Sequence, residues 1–285
     1  MALAQVIVSG ILIGGIYSLV SIGLTLIWGI LDVIDFAHGS YVMLGMYVAY
    51  FAWSIFGLDP LAAIPIDAVV LGIGGYLTYR IVIRPVMGKS SLAQIVITFG
   101  LLVLLEGGAE LLWTPNSKGI SNPVSWHLNA GIGGVVLGGP QLIGFVGAVF
   151  FTALLAVFIN FTKTGNALRA TGEDRVGAAL MGINVERMNV LSWVLGLGCT
   201  GIAGALLMNS YTVSPLAGVV FGLIAFIAVA LGGFGSVVGA GIAGLLLGVV
   251  QNVVGLYASQ YSLVALVGIF LVVILIRPRG ILGVR

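Results

Sequence analysis

The chain has 285 residues, 60% of them hydrophobic and 7% charged, with a mean hydropathy of +1.22 and a formal net charge of +2. Soluble domains carry roughly a quarter charged residues, so this composition excludes a water-soluble globule, and so small a net charge, confined to loops, excludes nucleic acid as a ligand. The single cysteine, Cys199, excludes an internal disulfide or cysteine metal cluster and reads as a small core residue. What remains is an all-α, polytopic transmembrane helical bundle, one integral domain over 1–285 with about eight to nine spans.

The first apolar run, near 5–28, has no preceding Lys or Arg and is too long for a cleaved signal peptide, so it reads as a retained span. Gly10, Gly14 and Ser18 form a small-residue stripe on it, suited to close helix contact. Tyr17, Ser21 and Thr25 make a mildly polar stripe that either packs or lines a translocation path. Spans follow near 36–56, 61–83 and 92–112. In the last of these Glu106 and Glu110 lie four apart on one face; Glu110 reads as interfacial, while Glu106 either makes a packing hydrogen bond or touches the path. The loop 113–140, with Lys118 its single basic residue, is long enough to receive an external partner.

Two further spans near 141–161 and 190–208 flank a polar island, Lys163 to Arg187, which holds seven of the chain's twenty charged residues. The island reads as two helices. Thr171-Gly172-Glu173-Asp174 has the capping-box form, and Val176, Ala179, Leu180 and Ile183 then share one apolar face. Gly182 suits a left-handed stop and Asn184 a cap for the next helix. An amphipathic helix in that position must dock onto lipid or a cytoplasmic protein. The stretch 218–256 is apolar but broken at Gly232-Gly233-Phe234-Gly235-Ser236, where the break either lines a solute path or makes a tight surface turn. The pairs Gly218/Gly222, Gly235/Gly239 and Gly244/Gly248 again suit close packing, and the last span is near 262–276.

Ten of the eleven basic residues lie in Arg80–Lys89, Lys163–Arg187 and Arg277–Arg285. Short basic loops stay cytoplasmic, so nine spans put these three segments and the C-terminus inside and the N-terminus outside. That makes 163–189 a cytoplasmic loop and 113–140 an external one.

Several motifs resemble one family. Gly165-Asn166-Ala167-Leu168-Arg169-Ala170-Thr171-Gly172-Glu173-Asp174, continuing through Ala178, Ala179, Gly182, Ile183 and Asn184, looks like the coupling loop of the branched-chain amino acid ABC transporter permeases. The segments around Gly14-Gly15-Ile16-Tyr17, Gly23-Leu24-Thr25-Leu26, Asp35-Phe36-Ala37-His38-Gly39 and Arg277-Pro278-Arg279-Gly280-Ile281-Leu282-Gly283 are similar to that family in the same order. Asp35 stands where the family usually has Asn, and Met46 where Ala is common; Asp35 is still able to cap a helix starting at Phe36, and the departures bear on the solute rather than the architecture. The resemblance implies a subunit that forms the path for branched-chain or related small amino acids and is not itself an enzyme. It implies a second related permease or a second copy, two cytoplasmic ATPase subunits holding ATP and Mg, and an extracytoplasmic solute-binding protein, in a bacterial or archaeal inner membrane. Arg169, Ala170, Glu173, Asp174, Ala178, Ala179, Gly182, Ile183 and Asn184 would couple to the ATPases through a rigid link into the sixth span.

The residues around Gly88-Lys89-Ser90 lack the upstream Gly of a phosphate-binding loop, in keeping with ATP being held on other chains. Other classes fare worse. Asn122-Pro123-Val124 is one poor match to the paired motifs of water channels. No hydrolase motif occurs, and no second Asp is expected deep in a span. His38 lacks ligand neighbours and reads as a cap or packing residue, so no metal is expected. An ion-coupled secondary transporter is the main alternative, followed by importers of urea, amides or small carboxylates.

Overall fold

The computed structural model describes residues 2–120, 127–129, 136–277 and 280. Asn122-Pro123-Val124, the rest of the 113–140 loop within 121–126 and 130–135, and Pro278, Arg279 and Ile281–Arg285 of the terminal segment lie outside the described residues.

Helix α1, Ala2–Leu31, is about 45 Å long at 1.5 Å per residue. It ends at Asp32, which adopts φ 58° while its N–H caps Trp28 O at 2.8 Å. The chain then runs back along α1 as a non-helical strap, 32–37, before α2, His38–Phe56, begins. His38 Nε2 lies 3.1 Å from Val20 O, which puts the start of α2 about 16 Å back from the end of α1. Six extended residues easily span that distance. A helix here therefore starts inside the membrane-spanning length of another, rather than at Phe36 as the capping argument expects.

Gly57, at φ 67°, ends α2, and Asp59 caps α3, Pro60–Thr78, by accepting from Leu61 N. A π-helical turn, Tyr79–Ile83, and a 3-10 turn, Arg84–Val86, carry α3 to its end. Helix α4, Ser91–Trp113, is capped by Ser90 and lies at the periphery against α2 and the π turn. A short hairpin of β1, His127–Asn129, and β2, Val136–Gly138, leads into α5, Gly139–Phe161. Then come α6, Lys163–Glu173, α7, Arg175–Leu180, and α8, Val185–Met208. The chain closes with α9, Ala217–Gly232, α10, Val237–Ala258, a 3-10 turn, Ser259–Tyr261, and α11, Ser262–Ile276, which turns back against α10 and α9.

Seven helical stretches among the described residues are long and apolar enough to cross a membrane; the last, Val237–Ile276, is divided by the 3-10 turn, and α9 is a shorter apolar helix. The all-α polytopic bundle matches the sequence reading, with seven long spans and the shorter α9 among the described residues where about eight to nine spans are expected. Helices α1 and α8 are the most buried and form the core with α2, α9 and α10.

The glycine stripes mark where backbones touch. A Cβ on Gly10 would lie 2.6 Å from Val249 Cα, one on Gly14 2.8 Å from Leu245 Cα, and one on Gly244 2.5 Å from Ser18 N. Glycine is required at the α1–α10 crossing because lipid offers no hydrophobic drive and close dispersion contact must substitute. Gly218 packs on Ser40, and Gly239 on Gly232.

Candidate functional site

Two regions concentrate polar chemistry: the end of the bundle that carries the polar island, and a junction at membrane depth.

The island holds three helical pieces rather than two. Thr162 accepts from Gly165 N and so starts α6 before the expected capping box. Thr171 therefore falls inside α6, where its Oγ1 donates back to Ala167 O at 2.8 Å. The cap of α7 is Asp174, accepting from Val176 N at 2.9 Å. Gly182, at φ 83°, and Asn184, accepting from Arg187 N at 3.0 Å, make the stop and start that their residue types imply.

Around these joints most of the face expected to dock is exposed, Ile183 being its half-buried member, and Met181 is exposed beside it. Val176 is 70% exposed, Leu180 82% and Met181 83%. Ala179, Gly182, Glu173, Asp174 and Asn184 are also exposed, while Ala178 is buried and Ala170 and Ile183 are half-buried. Arg169 reaches Asn166 Oδ1 at 2.6 Å and Asn160 Oδ1 at 3.3 Å.

The same end of the bundle gathers the basic segments. Glu186, in the first turn of α8, accepts from Tyr79 at 2.9 Å and pairs with Arg84 Nε at 2.9 Å and Arg80 Nη1 at 3.6 Å. Arg175 Nη2 donates to Ile30 O at 2.7 Å, and a Cβ on Gly172 would sit 2.6 Å from Gly29 O. Gly29 in turn abuts Gly235, and Trp28 stacks on Phe234 with centroids 4.3 Å apart. The Gly232–Ser236 break, read as either path lining or a turn, is a turn at this end: Gly233 and Gly235 have φ 98° and 81°, and Ser236 caps α10. Gly280 packs on Gly233 and Ala230 there.

At membrane depth, the strap delivers Asp35 and His38 to the first turn of α2. Asp35 Oδ1 accepts from Ala37 N at 3.1 Å, its Oδ2 lies 3.5 Å from His38 Nδ1, and both side chains are buried. Phe36 stays exposed and stacks on Phe226 at 6.1 Å. Gly39 and Ser40 meet Gly218 at the start of α9, so the N-termini of two helices adjoin below the bundle surface. Ser40 Oγ faces Glu106 Oε1 at 3.5 Å, and Glu106 is half-exposed on the peripheral α4. Glu110 is exposed one turn on. Tyr17, Ser21 and Thr25 are buried; Ser21 and Thr25 donate to carbonyls of their own helix, while Tyr17 donates to Gln251 at 2.8 Å. Burial holds the neighbouring Tyr211, in the loop after α8, above its ordinary hydroxyl range, so it stays neutral.

Sequence reading missed three things. Asp67 lies in α3, fully buried, with neither carboxyl oxygen hydrogen-bonded, which overturns the expectation of no second Asp deep in a span. Its charge was visible within the 61–83 run. The Glu186 cluster and the Arg175–Ile30 contact join residues 107 and 145 positions apart, for which spacing along the chain gives no signal.

Long apolar helices around a packed core, two helices, α2 and α9, whose N-termini meet at depth, and exposed apolar side chains on a charged island at one end define a multi-pass membrane protein. Residues 6–276 match the family described as the branched-chain amino acid transport system permease component. The permease protein BraD of Pseudomonas aeruginosa, of a high-affinity branched-chain amino acid transport system, is 34% identical over 98% of this chain and 95% of its own. LivH of Escherichia coli, a permease protein of a system of the same description, is 32% identical over the same shares. The solved structure of PsaBC from Streptococcus pneumoniae in complex with Fab shares the fold, with a TM-score of 0.52 at 16% identity over 98% of this chain and 93% of that one. The chain belongs to the branched-chain amino acid permease family.

Proposed function

We propose that this chain is the membrane subunit of an ATP-driven importer that carries branched-chain or related small amino acids into a bacterial or archaeal cell. It pairs with a second permease or a second copy. Two cytoplasmic ATPase subunits hold ATP and Mg, an extracytoplasmic binding protein delivers the solute, and the chain itself catalyses no reaction. The basic end of the bundle faces the cytoplasm, the N-terminus and the 113–140 loop face outward, and 163–189 is the coupling loop.

The observation that carries this reading is the exposure of Val176, Leu180 and Met181 within the charged Lys163–Arg187 island. Apolar side chains left bare among charges favour a protein partner over water. Closure of the ATPases would shift this face and alter the junction where α2 and α9 meet. Tyr17, Ser21, Thr25 and Glu106 are the path candidates; of these Glu106 is the one with open surface in this conformation.

The test is accumulation of radiolabelled leucine in proteoliposomes. Uptake requiring ATPase subunits, binding protein and ATP is the expected outcome. Accumulation by the chain alone on a proton or sodium gradient overturns it in favour of secondary transport.

A further inference from the structure

The link between the island and the bundle differs from a rigid rod into α8. Between α7 and α8 stands Gly182, in a left-handed conformation and open to solvent, with nothing within 4 Å of where a Cβ would be. A turn of this kind bends more readily than a packed helix. Besides its packing on α8 and α5, the island makes close contacts with α1. The Arg175 guanidinium donates to Ile30 O at 2.7 Å, a carbonyl in the last turn of α1 that has no intrahelical partner to receive. The cation also sits at the negative end of the helix dipole. One turn earlier in the island, Gly172 meets Gly29 O at a separation that leaves no room for a side chain.

What α1 does beyond Ile30 gives this contact its meaning. Its last residues lead directly into the strap, and the strap carries Asp35 and His38 to the depth of Val20, where α2 starts against α9. The strap has a single side-chain tie to the periphery, Thr98 Oγ1 to Ile34 O at 2.9 Å, among the described residues. A displacement of the end of α1 is thus delivered along six residues to the place where two helix N-termini adjoin.

Resting on the importer reading above, we propose that Arg175 is a positioning residue for transport. It pins the coupling segment to the end of α1, so that movement of that segment is passed through the strap to the first turn of α2. It touches neither solute nor nucleotide.

The test uses the assembled transporter, both permease subunits with ATPases and binding protein, in proteoliposomes. Two quantities are read: leucine accumulated and ATP hydrolysed. Arg175→Met keeps the length and apolar stem but loses the donor, and Arg175→Lys keeps the cation. Arg175→Met is expected to lower the leucine-to-ATP ratio at least tenfold while co-purification with the ATPases and ATP hydrolysis stay within about twofold. Arg175→Lys is expected to restore the ratio to within about threefold of the parent. Lys89→Met, which removes an exposed cation from the loop before α4, is the control and should leave the ratio unchanged. An unchanged ratio in Arg175→Met overturns the proposal. So does a parallel loss of uptake and hydrolysis, or loss of ATPase co-purification, since either makes Arg175 a docking or folding residue. If the unsubstituted assembly shows no ATP-dependent uptake, the importer reading itself has failed, and that outcome is separate from any effect of the substitutions.

Discussion

The buried Tyr79 ring donates its hydroxyl to Glu186 at 2.9 Å, tying the π-helical turn at the end of α3 to the first turn of α8. π turns often mark places where a helix is adapted to a functional contact, and here the extra residue aims Tyr79 at a carboxylate that Arg84 and Arg80 also approach. The arginines and the glutamate are each more than a third exposed, so solvent screening keeps each ion pair within about 0–1 kcal/mol. The Tyr79 bond is the better shielded. Tyr79→Phe is expected to lower stability by roughly 1 kcal/mol and Arg84→Ala by less. Thermal unfolding of the detergent-solubilised protein checks the order, and a larger loss in Arg84→Ala would contradict it.

Helix α1 crosses α10 at backbone contact. Gly14→Leu should force the helices apart and cost on the order of 1–3 kcal/mol or more, seen as loss of monodisperse protein on gel filtration. Gly107→Ala, at a site with nothing within 4 Å of the added methyl group, should behave as the parent. Equal tolerance at both positions would refute close packing as the reason for the stripe.

Asp67 is buried with neither carboxyl oxygen hydrogen-bonded. A buried polar group without partners costs free energy that an apolar side chain of similar size does not. Asp67→Leu is therefore expected to leave the melting temperature unchanged or raise it. A drop of several degrees would mean that the carboxyl has a partner such as an internal water or ion.

Leu180→Glu and Met181→Glu place charges on a face already in contact with solvent. Folding and stability should be unaffected, within about 0.5 kcal/mol, while capture of the ATPase subunits on a tagged permease should fall severalfold. Undiminished capture would remove that face from the docking surface.

Much of this architecture was legible in the chain because lipid imposes a simple rule: a span must be apolar and about twenty residues long. The glycine stripes, the Gly182 stop and the Asn184 cap follow from local chemistry in the same way. The capping box at Thr171 misled because an earlier cap, Thr162, had already begun the helix. The strap 32–37 was hidden for another reason. Hydropathy records that two apolar runs are separate, but not that the second starts alongside the middle of the first. Asp35 and His38 gain their setting from that fold-back, and Ser40 with Glu106 from a contact 66 positions apart.

The strap also constrains biogenesis. Irregular backbone is not stable against hydrocarbon, so α1 and α2 gain by leaving the translocon as a joined hairpin, with His38 already beside Val20. Ile34 receives the Thr98 hydroxyl only once α4 has been synthesised. Nascent-chain maturation in this region is therefore expected to finish no sooner than the fourth long helix enters the bilayer.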